Sequence, residues 1–419
     1  MIVRELREAW RRLARRPGYA LLSVAVLGVG LGVTLFLFSL VNTLILEPLP
    51  VPHPERLMAL GEPSHSGNGI GSLDSDQYLA LRDGLRSADE VGAYVPIGAG
   101  VEENGGATYY PGSRVTASMM PLLGVTPLLG RGLLPSDEAP GAADVVLLGE
   151  NLWRRGFKAD PHIAGREVRI NGEWATVVGV LPARAARMPV SGSEVWLPLK
   201  LPPGQHRDVW GVVRLAANHQ LAQARAELDT WAARLQAALP AGKHTRGVTL
   251  KPWKFSFVPE DMRQWVWLMF GAAALVLLLA CVNVANLQLV QTLQRRHELA
   301  LRGALGGSRM RLVSAALTES LLLSLAALAV ALPIVHWGNR WIVSVYFNDA
   351  SGAAPFHHFG LDGRVLVAAF VAAVLSTALA GVIPAWRAAR ADLQDVLRDG
   401  GKGSGAGFAR VARVMVVAE

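Results

Sequence analysis

The sequence predicts a membrane protein with four transmembrane α-helices and a large mixed α/β extracytoplasmic domain between helices 1 and 2. Hydrophobic residues make up 51% of the chain and charged residues only 18%, whereas about one quarter of the residues are charged in ordinary soluble domains. The excess of hydrophobic residues lies in four apolar runs, each long enough to cross a bilayer. Arginines cluster beside these runs, and positively charged loops stay in the cytoplasm. The stretch between the first two runs is therefore predicted to lie outside.

The positions of the apolar runs divide the chain into segments. In chain order we predict a cytoplasmic amphipathic basic helix (1–18), transmembrane helix 1 (19–46), the extracytoplasmic α+β domain (51–262), transmembrane helix 2 (265–290), a cytoplasmic connector (291–311), transmembrane helix 3 (312–337), an outer loop (338–364), transmembrane helix 4 (365–384), a cytoplasmic amphipathic helix (385–400), and a linker with the start of a further apolar segment (401–419).

The N-terminal segment is rich in arginine, and Leu6, Trp10 and Leu13 recur at helical spacing. This pattern predicts a basic amphipathic helix that lies on the inner leaflet. The alternative is the charged start of a signal peptide. The apolar run that follows, Leu21–Leu46, is too long for a secretory signal and has no A-x-A cleavage site after it. It is therefore predicted to be an uncleaved membrane helix.

The segment 51–262 has the pattern of a domain that mixes strands and helices. Two strand-like runs meet at Asn171-Gly172, the strongest short-range signal for a β-hairpin. Apolar residues at helical spacing in 218–239 predict an amphipathic helix that packs on a sheet. Glycine-rich composition predicts exposed loops at Ser64–Ser72 and Gly98–Gly106.

The connector 291–311 is strongly basic, with Glu298 as its single acid. Its arginines are Arg295, Arg296, Arg302, Arg309 and Arg311. Leu301 and Leu305 lie one helical turn apart, and Gly306-Gly307 is suited to end a helix. A short ordered cytoplasmic helix between two membrane helices is well placed to receive a push from a soluble partner.

A few small and polar residues lie inside the apolar runs. Gly28 and Gly32 form a small-xxx-small pair that allows close helix packing, although glycine is also common in membrane helices generally. Asn283 and Asn286 share a helix face and are expected to form hydrogen bonds with other helices. Glu319 lies about two turns into the third run, where a charge costs on the order of 3 kcal/mol. It is either a conformational switch or a partner for a connector arginine, or else it lies at shallow depth, where its carboxylate reaches the interface or is protonated.

Composition and motifs argue against several other functions. The net charge of 41 − 33 = +8 is explained by the basic loops of a membrane protein, so no nucleic-acid partner is expected. The single cysteine, Cys281, allows no intramolecular disulfide. The Gly-Lys pairs within Ala241–Thr245 and Gly400–Gly405 lack the remaining residues of a phosphate-binding loop.

Candidates for metal binding and hydrolysis are also weak. His357 and His358 are adjacent and have no carboxylate at a helpful spacing, so we expect a solvated loop and no metal site. Ser64, His65 and Asp74 could form a triad on paper, but no nucleophile-elbow pattern accompanies them. We therefore expect no catalytic residues and no enzyme activity of the chain itself.

Three motifs near the connector resemble a known family. They are "ACVNVANLQLV" (Ala280–Val290), "RRHELALRGALGGSRMRLV" (Arg295–Val313) and "LTESLLL" (Leu317–Leu323). Together they resemble the FtsX-like permease segment of MacB-type ABC transporters. The stretch "GREVRINGEWATVVGV" (Gly165–Val180) resembles the MacB-type periplasmic core domain. The first apolar run and its proline-rich exit are similar to the N-terminal half of tandem-duplicated bacterial permeases, so the resemblance implies a truncated chain, a broken gene or a half-size relative.

The resemblance implies a permease subunit in the bacterial cytoplasmic (inner) membrane that couples ATP hydrolysis by a separate ABC ATPase to motion of its outer domain. ATP would bind to the partner subunit, so no cofactor of this chain is expected. Further partners implied are a second permease half or a second copy, membrane lipid and other envelope proteins. The ATPase-facing residues implied by the motif are Arg296, Glu298, Arg302, Leu305 and Arg309. The alternative function is a membrane-anchored sensor or regulator whose outer domain binds a protein such as a cell-wall hydrolase.

Overall fold

The computed structural model describes residues 2–64, 69–103, 106–188, 190, 192–238, 247–294, 309–346, 360 and 362–390. The chain divides into two compact units. The membrane unit comprises Met1–Asn42, Val266–Arg340 and Gly360–Glu419, and the inserted domain comprises Thr43–Trp265 and Trp341–Phe359.

Helices and strands alternate in the inserted domain, and long helices form the membrane unit. The helices are α1 (Ile2–Ala14), α2 (Pro17–Val41), α3 (Ser75–Gly84), α4 (Met119–Leu123), α5 (Glu150–Gly156), α6 (Leu221–Ala238), α7 (Glu260–Gln294), α8 (Arg309–Tyr346) and α9 (Gly363–Arg390). The strands are β1 (Leu57–Gly61), β2 (Leu73–Asp74), β3 (Ala88–Glu103), β4 (Gly106–Val115), β5 (Leu129–Gly130), β6 (Val145–Gly149), β7 (Glu167–Ile170), β8 (Glu173–Leu181), β9 (Val195–Pro198), β10 (Asp208–Leu215) and β11 (Thr249–Pro252).

Four helices of the described chain are long and apolar enough to cross a membrane, as the sequence predicts. We name them span 1 (Pro17–Leu46), span 2 (Glu260–Gln291), span 3 (Leu317–Val345) and span 4 (Gly363–Gly381). Span 1 ends in a π-helical turn over Asn42–Leu46.

Two of the predicted boundaries differ from the observed ones. The third membrane helix was expected to end at Trp337, but α8 continues to Tyr346, because the polar Asn339 beyond that point is buried inside the membrane unit. The fourth membrane helix was expected to end at residue 384 and a separate helix to begin at 385, yet α9 runs through Pro384 to Arg390. Proline is tolerated within membrane helices, where neighbouring groups compensate for the missing N–H. Residues 391–400 of the predicted final helix lie outside the described part of the chain.

A mixed sheet organises the inserted domain. Its strand order is β11-β1-β10-β3-β4-β9-β6-β8-β5, while β2 pairs with β10 and β7 pairs with both β3 and β8. The pairs β4–β9 and β6–β8 are parallel. The domain is therefore mixed α/β, as predicted.

The hairpin predicted at Asn171-Gly172 joins β7 and β8. Both residues have positive φ, at 55° and 85°, which is the geometry of a type I′ turn. The turn is also attached to β3, since the Asn171 Oδ1 accepts a hydrogen bond of 2.7 Å from the Gly100 N–H. This attachment fixes the position of the β7–β8 hairpin along the sheet.

The expected exposed loop at Gly98–Gly106 is wrong, because Gly98 to Glu103 continue strand β3 and pair with β4. The glycines of β3 are strand residues whose missing side chains leave space above the sheet. A Cβ added to Gly98 would come within 2.2 Å of the Tyr109 hydroxyl oxygen. Glycine therefore makes room for an aromatic ring that lies across the strand.

The predicted amphipathic helix is α6, and it packs its apolar face on the sheet. Ala224 and Leu228 are completely buried in a core that also contains Tyr78 of α3 and Val213 of β10. Two further clusters of buried side chains lie around Trp196 and Trp253 and around β6–β8.

The turn geometry generates the first prediction. Gly172→Ala places a Cβ at a φ of 85°, which costs about 1–2 kcal/mol for an L-residue. We expect thermal unfolding of the purified chain to shift to lower temperature. Gly84→Ala is the matched control, because Gly84 ends helix α3 and an added Cβ meets nothing within 4 Å. Equal behaviour of the two variants would contradict the turn assignment.

Candidate functional site: the contacts of span 1

Span 1 is the most enclosed of the four spans. Within the most apolar window of each helix, 61% of the residues of span 1 are buried, against 28% for each of the others. Leu27, Leu31 and Leu35 lie in the apolar core of the membrane unit together with residues of the other three spans. Span 1 therefore shares an apolar core with all three other spans.

Span 1 and span 3 run parallel and touch through glycine. A Cβ added to Gly28 would lie 3.0 Å from Cβ of Val330, and one added to Gly32 would lie 2.8 Å from Cδ1 of Ile334. Both pairs advance by four residues along both helices, so the helices have the same direction. The two glycines identified from sequence thus occupy the closest approach of these spans.

Hydrogen bonds connect span 1 to spans 2 and 3. The Thr34 hydroxyl donates to the carbonyl oxygen of Ala273 on span 2 at 3.0 Å, and also to Gly30 one turn back at 2.8 Å. The Asn339 amide of span 3 donates to the Ser39 hydroxyl at 3.0 Å. The side chains of Thr34, Ser39 and Asn339 are all buried. Because lipid offers no hydrogen-bond partner, these bonds between helices satisfy their polar groups.

A third hydrogen bond connects span 1 to the start of span 4. The Asn42 amide donates to Oδ2 of Asp362 at 2.8 Å. The other carboxylate oxygen of Asp362 accepts from the Val365 N–H at 2.8 Å and so caps α9. Asn42 begins the π-helical turn, and such turns often mark functional positions in helices.

Among the described residues of span 2, the interhelical hydrogen bond expected of an asparagine is formed by a different amide. Asn283 and Asn286 are only partly buried, and no hydrogen bond joins either amide to another span among the described residues. Gln288 forms the hydrogen bonds to span 3. Its amide group donates to the Ser320 hydroxyl at 2.9 Å and accepts from it at 3.1 Å. Gly381 of span 4 packs on the same serine, since an added Cβ would lie 2.7 Å from its Oγ.

The structure leaves the remaining predicted residues of the connector untested. Arg296, Glu298, Arg302 and Leu305 lie outside the described residues, and Arg309 is described only as the first residue of α8. Glu319 is partly buried beside Ser320 in the sequence. Its role stays a prediction.

Within the inserted domain, a lysine binds the chain segment that follows span 1. Lys254 Nζ donates to the carbonyl oxygen of Ile45 at 2.8 Å and also to that of Glu47. A cation is favourable there because the carbonyls at the C-terminal end of a helix carry partial negative charge. The neighbouring Trp253 is 1% exposed and packs edge-on against Tyr94 in the domain core. Lys254 therefore directly follows a residue that is packed into the domain core.

Perturbed titratable groups of the inserted domain are explained by folding contacts. Burial raises the pKa of Tyr78 to about 12, and its hydroxyl donates to the Val91 carbonyl oxygen at 3.5 Å. Burial also raises the pKa of the Glu138 carboxyl, which accepts a hydrogen bond from the Ala117 N–H. Both groups hold backbone segments together.

One cluster has the residue types of a metal site. Single ligand atoms of Asp74, Asp76 and His206 lie within 4.8 Å of one another. Asp74 already caps α3 through the Asp76 N–H at 2.9 Å, and Asp76 accepts from the Gly204 N–H at 3.2 Å. These hydrogen bonds account for the cluster: its carboxylates cap α3 and hold the segment before β10 in place. The triad sketched from sequence stays untested, because His65 lies outside the described residues.

Sequence reasoning missed the polar residues that join the spans. Thr34, Ser39 and Asn42 lie in an apolar run at spacings that change helix face, and each faces a different neighbour. Polar residues in a membrane helix commonly bond to other helices, so their presence was a usable signal. Their partners could not be identified without the three-dimensional arrangement.

Comparisons with known proteins match the two parts of the chain separately. Residues 20–231 match the MacB-like periplasmic core domain, and residues 270–393 match the FtsX-like permease C-terminal domain. The pyoverdine export ATP-binding/permease protein PvdT of Pseudomonas entomophila is 25% identical over 271 residues, and that of Pseudomonas fluorescens is 27% identical over 270 residues. Each alignment covers 61% of this chain, and the chain spans only 38% of each relative's length.

Solved structures of related domains align with about half of the chain. The periplasmic region of MacB from Actinobacillus actinomycetemcomitans aligns with a TM-score of 0.37 and 15% identity, covering 47% of this chain and 88% of that one. A domain of a putative permease protein from Porphyromonas gingivalis aligns with a TM-score of 0.35 and 16% identity, covering 48% and 93%.

The close approach of spans 1 and 3 generates the second prediction. Gly32→Leu inserts a side chain where even a Cβ would lie 2.8 Å from Ile334, and such overpacking costs about 1–3 kcal/mol. We expect the chain in detergent to unfold at lower temperature. Gly271→Leu on span 2 is the control, because an added Cβ there meets nothing within 4 Å. A Gly32 variant as stable as the Gly271 variant would refute the contact.

Proposed function

This chain belongs to the family of ABC transporter permeases that combine a MacB-like periplasmic core domain with an FtsX-like permease domain, and we propose that it transmits ATP-driven motion from a separate ATPase to its extracytoplasmic domain. The inserted domain corresponds to the core-domain part of the match. The chain is thus a multi-pass membrane protein with a large extracytoplasmic domain, and we place it in the bacterial cytoplasmic membrane.

The observation that carries this proposal is the bonding of span 1. It hydrogen-bonds to spans 2, 3 and 4 through three different side chains, Thr34, Ser39 and Asn42. A displacement of any neighbouring span therefore acts on span 1. Beyond span 1, Lys254 binds the carbonyl groups of Ile45 and Glu47. Span 1 and this lysine form a continuous route by which movement in the membrane reaches the extracytoplasmic domain.

The proposed cycle begins when an ATPase dimer closes on ATP beneath the connector 291–311. The connector shifts the ends of spans 2 and 3, and the bonds to span 1 pass the shift onward. The extracytoplasmic domain then changes position and expels or hands over a substrate outside the membrane. Four polar side chains that the structure describes inside the bundle, Thr34, Asn339, Asn42 and Gln288, bond to groups of neighbouring spans, which supports transmission of motion in preference to passage through a pore.

The substrate class is a separate question from the mechanism. Both relatives are named as pyoverdine export proteins, and both names describe an ATP-binding protein as well as a permease. We propose export, or release from the outer face, as the class of work, with ATP bound by a partner subunit. A second permease half or a second copy of the chain would complete the transporter.

One observation favours the second candidate function, a sensor or regulator that binds a protein outside. Tyr109 and Trp174 are 74% and 58% exposed on one face of the sheet, where Arg169 stacks 5.0 Å from the indole centroid. Exposed aromatic side chains are frequent anchors of protein interfaces. A sensor of this kind would bind its outer partner without stimulating an ATPase.

ATPase capture tests the coupling segment directly. We expect the chain to co-purify with its cognate ATPase and to alter ATP turnover, and we expect Arg302→Glu with Arg309→Glu to lose both effects, because reversed charges repel the former partner surface. Arg155→Glu is the control, as Arg155 is an exposed residue of the extracytoplasmic domain. Normal capture by the double variant would rule out this coupling surface. Failure of every candidate ATPase to bind the parent chain would favour the sensor.

A second experiment separates ATP turnover from outer motion. With Cys281→Ser as background, spin labels at Ala14→Cys and Ala107→Cys report the distance between α1 and the β3–β4 hairpin in the ATPase complex. We expect an ATP-dependent change in the parent and its loss in Lys254→Met, with ATP turnover maintained, since the bonds to Ile45 and Glu47 are removed. Lys254→Arg keeps the charge and should restore the change. An unaltered distance change in the methionine variant would show that the route does not pass through Lys254.

A further inference from the structure

Helix α1 presents a stripe of residues that are exposed in the part of the chain that the structure describes. Its members are Arg7, Trp10, Arg11, Ala14 and Arg15. They are spaced three and four residues apart, so they share one side of the helix. Trp10 is 66% exposed, so the described residues leave most of this large side chain uncovered.

The other side of α1 is fixed to the membrane unit. Ala9 and Leu13 are 1% and 8% exposed, and Leu13 belongs to the apolar core that includes Tyr19 and Val24 of α2. The sequence predicted Leu6, Trp10 and Leu13 as a single lipid-facing side. The structure corrects this assignment, because Leu13 packs inward and Trp10 lies at the border between the packed side and the arginines.

The positive charges of the stripe differ from those on the flank of α1 in their ion pairing. Among the residues that the structure describes, no carboxylate pairs with Arg7, Arg11 or Arg15. Arg12 differs from them, since it is partly buried and lies 3.5 Å from Glu8. The exposed side of α1 therefore carries three positive charges next to one indole, while the flank of the helix is internally paired.

The position of α1 in the chain determines what this stripe meets. The helix ends at Ala14 and span 1 begins at Pro17, so the stripe lies within a few residues of the hydrocarbon boundary on the side where arginine-rich segments remain. Tryptophan prefers this interfacial depth, and the inner leaflet has negative surface potential that attracts basic segments. The three guanidinium groups of the stripe can donate hydrogen bonds to phosphate oxygens at that level.

We propose that the stripe Arg7–Trp10–Arg11–Arg15 is a binding site for the headgroups of anionic phospholipids in the inner leaflet. The indole of Trp10 sits between headgroups and acyl chains, and the arginines bind phosphate. Because α1 is packed against span 1 through Leu13, a bound anionic lipid stabilises the membrane unit at its central helix. This site depends on the membrane location of the chain and is independent of any partner ATPase.

The test uses the full chain purified in a neutral detergent. Thermal unfolding is followed while phosphatidylglycerol or phosphatidylcholine is added, and the dependence of the midpoint on lipid concentration gives an apparent affinity. We expect stabilisation by phosphatidylglycerol, little by phosphatidylcholine, and a weaker effect at high salt. Changing Arg7, Arg11 and Arg15 together to Gln should weaken the affinity for phosphatidylglycerol about a hundredfold, from about fivefold for each arginine.

Two controls keep the result interpretable if the triple variant is itself less stable. Arg12→Gln removes a charge from the paired flank and should change the affinity by less than about twofold. Changing the same three arginines to Lys retains the charges and should preserve most of the preference for phosphatidylglycerol. Equal stabilisation by the two lipids in the parent, or full phosphatidylglycerol binding by the glutamine variant, would overturn the site. If the glutamine variant lost ATPase capture but kept its binding to phosphatidylglycerol, the stripe would be assigned to the protein partner instead.

Discussion

A polar group within a membrane must find its partner inside the protein, and this constraint organises the helices of the chain. Span 1 satisfies it with three bonds that lead to three different neighbours, which is why it occupies the centre. The glycines support the same arrangement, since Gly28 and Gly32 bring span 3 close enough for Asn339 to reach Ser39. Close packing and hydrogen bonding therefore depend on each other at this interface.

The bonds of Thr34 and Asn42 on span 1 differ in strength, and this difference bears on the proposed mechanism. Thr34 also bonds to Gly30 of its own helix, so its contact with span 2 can be lost without leaving a hydroxyl unpaired. Asn42 instead binds a carboxylate, and hydrogen bonds to charged groups are roughly twice as strong as neutral ones. The exit of span 1 is thus the firmer junction. The proposed transmission of motion depends on this junction and on the bonds from Lys254 to the carbonyl oxygens of Ile45 and Glu47.

How far sequence predicts this structure depends on the range of the determining interaction. The four spans and the hairpin at Asn171-Gly172 were predicted because hydropathy and turn chemistry act locally. The ends of α8 and α9 were not predicted. Asn339 fits into a membrane helix only because Ser39 of span 1 accepts its hydrogen bond. Pro384 ends a helix only where no neighbouring group compensates for its missing N–H. The glycines of β3 were misassigned for the same reason: their room is filled by Tyr109, a residue of the neighbouring strand.

The site illustrates the same limit at the level of single residues. Gly28 and Gly32 could be selected from their spacing, whereas Gln288 was passed over in favour of Asn283 and Asn286, which carry the same amide on another side of the helix. Only the position of Ser320 decides among these three amides. A polar residue in an apolar run can therefore be recognised from sequence as an interhelical group, but the choice of partner belongs to the packing. Since packing places span 1 at the centre, the interactions proposed to carry motion are those that sequence patterns encode least directly.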